Sequence, residues 1–438
     1  MRNGKEREIK GIYAAVLVVF LVFLLIPILL LLGKSFEGSS GFTLARYGEI
    51  LTGKDFPGVL GRSIWIASIS GVVTTILAFF LAYTIHYTNL PGIWKKVIRL
   101  AAVAPMLLPT ITYGFAIIYS FGKQGLLTRI LGFQLFDIYG FWGLLLGYVI
   151  YTLPVSFLLI LNTMSFIDKK FMIVSRIMGD HALVTFLETI IRPLLGTLAA
   201  SFVQCFFLCF TDYGIPASVG GQYEVVATVL YNEMLGSVPN FNRGAVVAMM
   251  VPSVLSITLL HYLEKYNIRC SRVSQVELKK NPVRDVCCGA VSFGILLCVL
   301  SSFAVIVIVP AVEEWPYQLS FTWKHVSAVL GDSSLLTVYK NFLLTAGLTA
   351  LVGSLVVYGA ALVTARSSFG ERKKAVIESI ALVTNTIPGM VIGIAFLFAF
   401  SGTPLQNTFF LIVICNVVHF FSTPYLIRRE AMPFIRER

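Results

Sequence analysis

Charge is what this chain has least of. Asp, Glu, Lys and Arg make up 13% of its 438 residues, about half the share of a soluble globular domain. Hydrophobic residues make up 57%, and the mean hydropathy is +0.83. That excludes a soluble fold. The seven cysteines, Cys205, Cys209, Cys270, Cys287, Cys288, Cys298 and Cys415, lie mostly inside apolar runs and lack the paired spacing of a zinc site. They read as buried small hydrophobes. Five histidines are scattered without companion carboxylates, so the chain is expected to hold no metal and no cofactor. Intramembrane carboxylates are equally scarce, which argues against a membrane-embedded enzyme and against an ion-coupled secondary transporter. No nucleotide-binding loop is present either. Gly33, Lys34 and Ser35 spell the end of one, but Ile28 stands where the earlier glycine belongs, at the end of an apolar run.

What the chain does have is apolar runs of roughly 20 residues, each enough to cross about 30 Å of hydrocarbon as helix. After a basic start, the run from Ile12 to Gly33 is too long for a signal-peptide core and lacks a cleavage site, so it reads as an uncleaved first crossing. Further runs fall at 62–86, 96–120, 139–163, 194–215, 243–264, 285–311, 341–365, 375–400 and 406–427. The prediction is an all-α, polytopic membrane helical bundle of about ten transmembrane helices. The net charge of +12 comes from short basic blocks between the runs, where topology signals sit, rather than from one basic face of the kind that binds nucleic acid. With the N-terminus inside, 25 of the 34 Lys and Arg residues fall in inner segments and 9 in outer ones. Both termini are therefore expected in the cytoplasm.

The chain repeats itself in parallel. PGIWKKVI from Pro91 is echoed by FGERKKAVI from Phe369, with Lys95 and Lys96 falling on Lys373 and Lys374. Pro109 and Gly114 map onto Pro388 and Gly393, YTLP ending at Pro154 onto FSTP ending at Pro424, and MSFI from Met164 onto MPFI from Met432. Two units entering the membrane in the same sense suit a central pathway between halves. The predicted division is 1–264 for a first unit of six spans, 265–284 for a basic cytoplasmic linker, and 285–438 for a second unit of four spans. The second unit is expected to be incomplete, as in a shortened form of a longer two-unit protein.

The segment from Phe166 to Leu195, between the fourth and fifth runs, is neither polar nor linker-like. Phe171, Met172, Ile173, Ile177 and Met178, with Arg176 and Asp180 beside them, read as a short helix that stops at Gly179. Such a surface on an inner loop marks a partner site or an amphipathic helix lying on the membrane.

This loop, followed by TDYGIPASVGGQYEVVAT from Thr211, resembles the permease subunit of binding-protein-dependent ABC importers. The likeness is to the subgroup that fuses two permease units in one chain, as for 2-aminoethylphosphonate, iron(III) and thiamine. In that family the loop carries Glu-Ala-Ala, three residues, a Gly, and a later Leu-Pro. Here Ile173, Val174 and Ser175 occupy the triplet, Gly179 is the Gly, Pro193 lies one position late, and Arg176, Met178 and Phe186 fit. The resemblance implies a type I ABC-importer permease fold, with the loop at 166–195 acting as a coupling helix in a cleft of a separate ATP-binding subunit. Phe171, Met172, Ile173, Arg176, Ile177, Met178, Gly179, Asp180 and Phe186 are the implied coupling residues. Two ATP-binding subunits, an extracytoplasmic solute-binding protein and the bilayer are the implied partners, in a cell or inner membrane. Asp212 and Tyr213 are candidates for the translocation path or for binding-protein docking, though an acidic residue near a span's end also reads as a carboxylate at the interface. Pro105, Pro109 and Pro388 either shape the path or kink helices for packing. Asn385 either lines the path or joins helices. The TDYGIP phrase ranks 2-aminoethylphosphonate first and iron(III) next.

Overall fold

The computed structural model of the chain describes residues 2–38, 41–53, 55–237, 240–250, 281–367 and 369–431. Among them, six single helices are long and apolar enough to cross a membrane: Arg7–Ser35, Phe56–Tyr87, Phe141–Met164, Ala182–Thr211, Pro282–Ala311 and Ser333–Ala365. A seventh expected crossing is a pair, Gly92–Leu107 and Thr110–Leu131, bent by 108° at Pro109. The ninth and tenth runs form shorter pieces, Glu371–Thr386 with Gly389–Phe400 and Phe409–His419 with Ser422–Ala431. The run at 243–264 enters the described residues only as Phe241–Met250. The rest of that run, the linker up to 280 and MPFI from Met432 lie outside them. The protein is a multi-pass helical membrane bundle.

Proline decides where the helices deform. It has no N–H to close the helical ladder; Phe141–Met164 runs on through Pro154 as α-helix, and at four other prolines the chain answers in two ways. Wide π turns at Leu21–Leu25 and Leu187–Ile191 precede Pro27 and Pro193, so those helices continue. At Pro109 and Pro388 the helix stops, and the proline, extended at ψ 150° and 143°, becomes the cap of the next helix.

The repeat is visible in these elements, and it starts earlier than the sequence matches suggest. Arg7–Ser35 leads to a small hairpin, Glu37–Gly38 with Gly41–Phe42, then to the short helix Ala45–Thr52 and the long helix Phe56–Tyr87. Pro282–Ile308 leads to a hairpin, Val312–Glu314 with Gln318–Phe321, then to Lys324–Gly331 and Ser333–Arg366. Thr43 and Thr322 accept the N–H of Ala45 and of Lys324 alike, at 3.1 Å each.

Packing does not follow chain order. One compact unit comprises Met1–Ile50, Asn232–Ser253 and Ser327–Arg438; the other comprises Leu51–Tyr231 and Val254–Val326. In the first, the N-terminal helix joins the second-repeat helices. Phe20 lies against Phe421 at 4.5 Å, Phe23 against Phe400 at 5.5 Å, and Gly359 lets Ile12 come close enough that a Cβ would sit 2.9 Å from it.

In the other unit, Phe56–Tyr87, Phe141–Met164 and Arg192–Thr211 pack on one another. Their shared face carries hydroxyls: Thr74 bonds Thr152 at 3.0 Å, Thr75 bonds Ser201 at 3.3 Å, and Ser156 bonds Ser201. Hydrocarbon supplies no competing partners, so such bonds hold membrane helices in register. Pro282–Ile308 joins the same unit through Ser292, which donates to Thr84 at 2.8 Å. A double-mutant cycle of Thr74→Val and Thr152→Val, read as unfolding in detergent micelles, should give a coupling of about 0.6 kcal/mol and at most about 1.7. Zero coupling would mean that the two hydroxyls do not bond.

Candidate functional site

The loop at 166–195 is built as a clasp. Lys170–Ile177 forms a helix, and the turn after it follows the pattern that ends helices at glycine. Gly179 N–H donates to Arg176 O at 3.1 Å, Asp180 N–H donates to Ser175 O at 3.2 Å, and Gly179 stands at φ +89°. Ser175 is the helix's buried residue. Its hydroxyl donates to the Asp180 carboxylate at 2.6 Å and meets Thr185 Oγ1 at 2.9 Å. Thr185 lies in Ala182–Phe186, the first turn of the next crossing. The short helix is thus tied to that crossing by a polar knot in which each hydroxyl has a partner.

That knot fixes which side faces out. Ile177 and Met178 are 79% and 77% exposed, and Phe171, Ile173 and Val174 are exposed beside them, while Met172 is half-buried. Leu183, Val184 and Leu187 in the turns that follow are exposed as well. Arg176 and Asp180 are also exposed. Phe186 points the other way. Its ring meets Phe79 at 6.2 Å and Tyr83 at 5.9 Å, both edge-on, so it anchors the loop to the end of Phe56–Tyr87 instead of joining the outer surface. Beside that anchor, the Lys169 ammonium lies 5.7 Å over the ring of Tyr87, where burial lowers its pKa.

The second group of expected site residues meets at the broken crossing. Pro105 and Pro109 bracket the bend, and the Pro105 carbonyl accepts Leu108 N–H at 3.0 Å and the buried Tyr113 hydroxyl at 2.5 Å. Against the helix that follows, Thr110–Phe121, packs the short helix Gly214–Val219 of the TDYGIP stretch. The contact is through glycine on both sides. A Cβ on Gly114 would sit 1.6 Å from Ser218 Oγ, and one on Gly214 would sit 2.3 Å from Thr110 Oγ1. Asp212 is 9% exposed, and its carboxylate accepts Ile215 N–H at 2.9 Å and bonds Thr110. Its hydrogen-bonding capacity is used inside the chain. Tyr213 stacks on Tyr231 at 4.3 Å. Pro388 makes the matching break in the second repeat. The backbone of Asn385 lies in Glu371–Thr386, and its side chain is outside the described residues.

Ser175, Thr185 and Thr110 are the working residues that reading the sequence passes over. A serine among the apolar residues of the short helix marks Ser175, and the position directly after Pro109 marks Thr110; Thr185 carries no such signal.

No protein-family model matches the sequence. The chain is 23% identical over 425 residues to the putative ferric transport system permease protein FbpB 1 of Haemophilus influenzae, covering 93% of this chain and 66% of that one. It is 21% identical over 446 residues to the probable ABC transporter permease protein y4fN of Sinorhizobium fredii, covering 95% and 76%. It is 24% identical over 244 residues to the spermidine/putrescine transport system permease protein PotC of Escherichia coli K12, covering 54% and 87%. This chain is a relative of ABC transporter permeases. Such permeases are transport components rather than enzymes. The chain spans slightly less than two thirds of the Haemophilus permease.

Gly179→Ala should loosen the clasp. Nothing lies within 4 Å of the added methyl, so the cost is the left-handed backbone alone, about 1 kcal/mol. Amide hydrogen exchange across residues 171–186 should speed up roughly fivefold; unchanged protection would show that the turn does not hold the helix.

Proposed function

We propose that the chain is the membrane-embedded permease of an ATP-driven importer, and that the Lys170–Ile177 helix docks in a cleft of a separate ATP-hydrolysing subunit. The observation that carries this reading is the apolar surface of Ile177, Met178 and Phe171, held outward by the buried Ser175–Asp180–Thr185 knot. Apolar side chains left outside a fold in this way mark a docking surface, and the named relatives are permeases of transport systems. The loop lies on the cytoplasmic side, as the distribution of Lys and Arg argues, with both termini inside. Two ATP-binding subunits engage the assembly from within, and a solute-binding protein delivers cargo from outside. Closure of the ATP-binding subunits moves the clasp, and the crossings alternate between outward and inward openings. Phe186 against Phe79 and Tyr83 carries the movement into Phe56–Tyr87.

We rank iron(III) ahead of 2-aminoethylphosphonate as the solute. The ferric name of the Haemophilus relative supports that order, which reverses the one drawn from the TDYGIP phrase. The 1–264 and 285–438 units are the two permease halves, with the basic linker between them.

Replacing Ile177 and Met178 by Asp puts two charges on the docking surface. Co-purification of the ATP-hydrolysing subunit and solute uptake should both fall at least tenfold, while the thermal melt of the permease is unchanged. If the subunit still co-purifies and only binding of the loop to lipid vesicles is lost, the surface is a membrane-interface helix and the docking reading fails. Uptake of radioactive iron(III), compared with uptake of 2-aminoethylphosphonate, then ranks the solutes.

A further inference from the structure

Three cations gather at the end of one long crossing. Lys95, Arg99 and Lys169 all lie within electrostatic reach of the His86 ring, in the last turn of Phe56–Tyr87. Lys169 stands over Tyr87, and Lys95 Nζ donates to the Thr88 carbonyl at 2.6 Å. None of the three forms an ion pair among the described residues. Asp285 lies within reach of Lys95, but its carboxylate is bound by the Arg284 guanidinium at 2.7 and 2.9 Å and by the Asn89 N–H at 3.2 Å. The cluster therefore carries net positive charge.

Beside these cations, the helix Gly92–Val103 turns an apolar arc outward. Ile93, Trp94, Val97 and Leu100 are exposed, while Ile98 and Ala102 are buried against the protein. At 3.6 residues per turn the exposed four share one side of the helix, and Lys96 and Arg99 fall along its edge. This helix is the first half of the broken crossing. The arc thus faces acyl chains, and the cations sit where lipid headgroups lie.

The matching helix of the second repeat, Glu371–Thr386, keeps the two lysines and loses the rest. Ile93, Trp94 and Leu100 fall on Glu371, Arg372 and Glu378, and Arg99 falls on the buried Ile377. There Lys374 pairs with Glu371 at 3.6 Å, and Lys373 lies 5.0 Å over the Phe369 ring. Charge breaks the apolar arc, and two carboxylates repel an anion.

We propose that Lys95, Arg99 and Lys169 hold the phosphate of an anionic phospholipid whose acyl chains lie along Ile93, Trp94, Val97 and Leu100. A free phosphate matches the cations alone, whereas a phospholipid matches the cations and the arc together. The surplus of cations favours a lipid of net negative charge over a zwitterionic one.

The inference needs only that these helices cross a membrane, and not the importer reading. The full chain, purified in detergent, is offered equal amounts of phosphatidylglycerol and phosphatidylcholine, and the lipid retained per chain is counted by native mass spectrometry. Phosphatidylglycerol should be retained in preference. Arg99→Gln combined with Lys169→Gln should lower its affinity roughly fivefold per charge removed. Lys373→Gln combined with Lys374→Gln, in the matching helix, should leave it unchanged. Should the first pair melt early, Leu100→Glu supplies a second variant: it puts the carboxylate of Glu378 at a 75% exposed position and should also lower retention. Equal retention of the two lipids, or a preference that survives both the Arg99/Lys169 and the Leu100 variants, overturns the proposal. So does inorganic phosphate that raises the melting temperature of the chain in phosphatidylcholine as far as phosphatidylglycerol does, because the ligand is then the free anion.

Discussion

Backbone groups that cross hydrocarbon must find their hydrogen-bond partners inside the protein, and proline is where this chain puts that rule under load. Where a π turn absorbs the missing donor, at Pro27 and Pro193, the crossing runs on. At Pro109 no such turn forms, the chain breaks, and other elements come to the break. Tyr113 donates to the Pro105 carbonyl, and the Asp212 carboxylate reaches Thr110, the first residue after Pro109. The glycines at 114 and 214 exist to let those elements approach. The two stretches that stand out most in the sequence, LPTITYG and TDYGIP, are thus the two halves of one repair.

Much of this was legible beforehand. Among the described residues, six of the ten apolar runs form single helices long enough to cross and a seventh forms the bent pair, because length and hydropathy are set by the bilayer itself. Gly179 was readable as a helix end because few other residues take φ +89° without strain. Which face a side chain occupies was harder to read. Phe186 and Met178 look alike in sequence, yet one lies against Phe79 and Tyr83 and the other is exposed. The choice depends on the Ser175–Thr185 knot, a contact between residues ten apart that no periodicity announces. Asp212 shows a related dependence on its neighbours. A carboxylate near a span's end suggests a surface role, whereas here the neighbouring helix supplies its donors. The early part of the repeat was missed because hairpins and short helices share little beyond Phe-Thr at 42–43 and 321–322.

The loop's rigidity has a mechanical meaning under the importer reading. A flexible knob would absorb a push by changing its own shape. Here the helix is bonded through Ser175 to Asp180 and Thr185, and Phe186 follows Thr185 directly in the chain. A displacement of the outer surface is therefore a displacement of the Phe186 anchor and of the crossing that begins at Ala182. That crossing shares hydroxyl bonds with Phe56–Tyr87 and Phe141–Met164, so the three move as one body before any of them moves alone. The broken helix is held to the same body by the Gly114–Ser218 and Asp212–Thr110 contacts. The bend at Pro109 lacks a continuous ladder, and these contacts stand in for it. Under the importer reading, force applied at Ile177 and Met178 has a continuous path of packed and bonded groups to that bend.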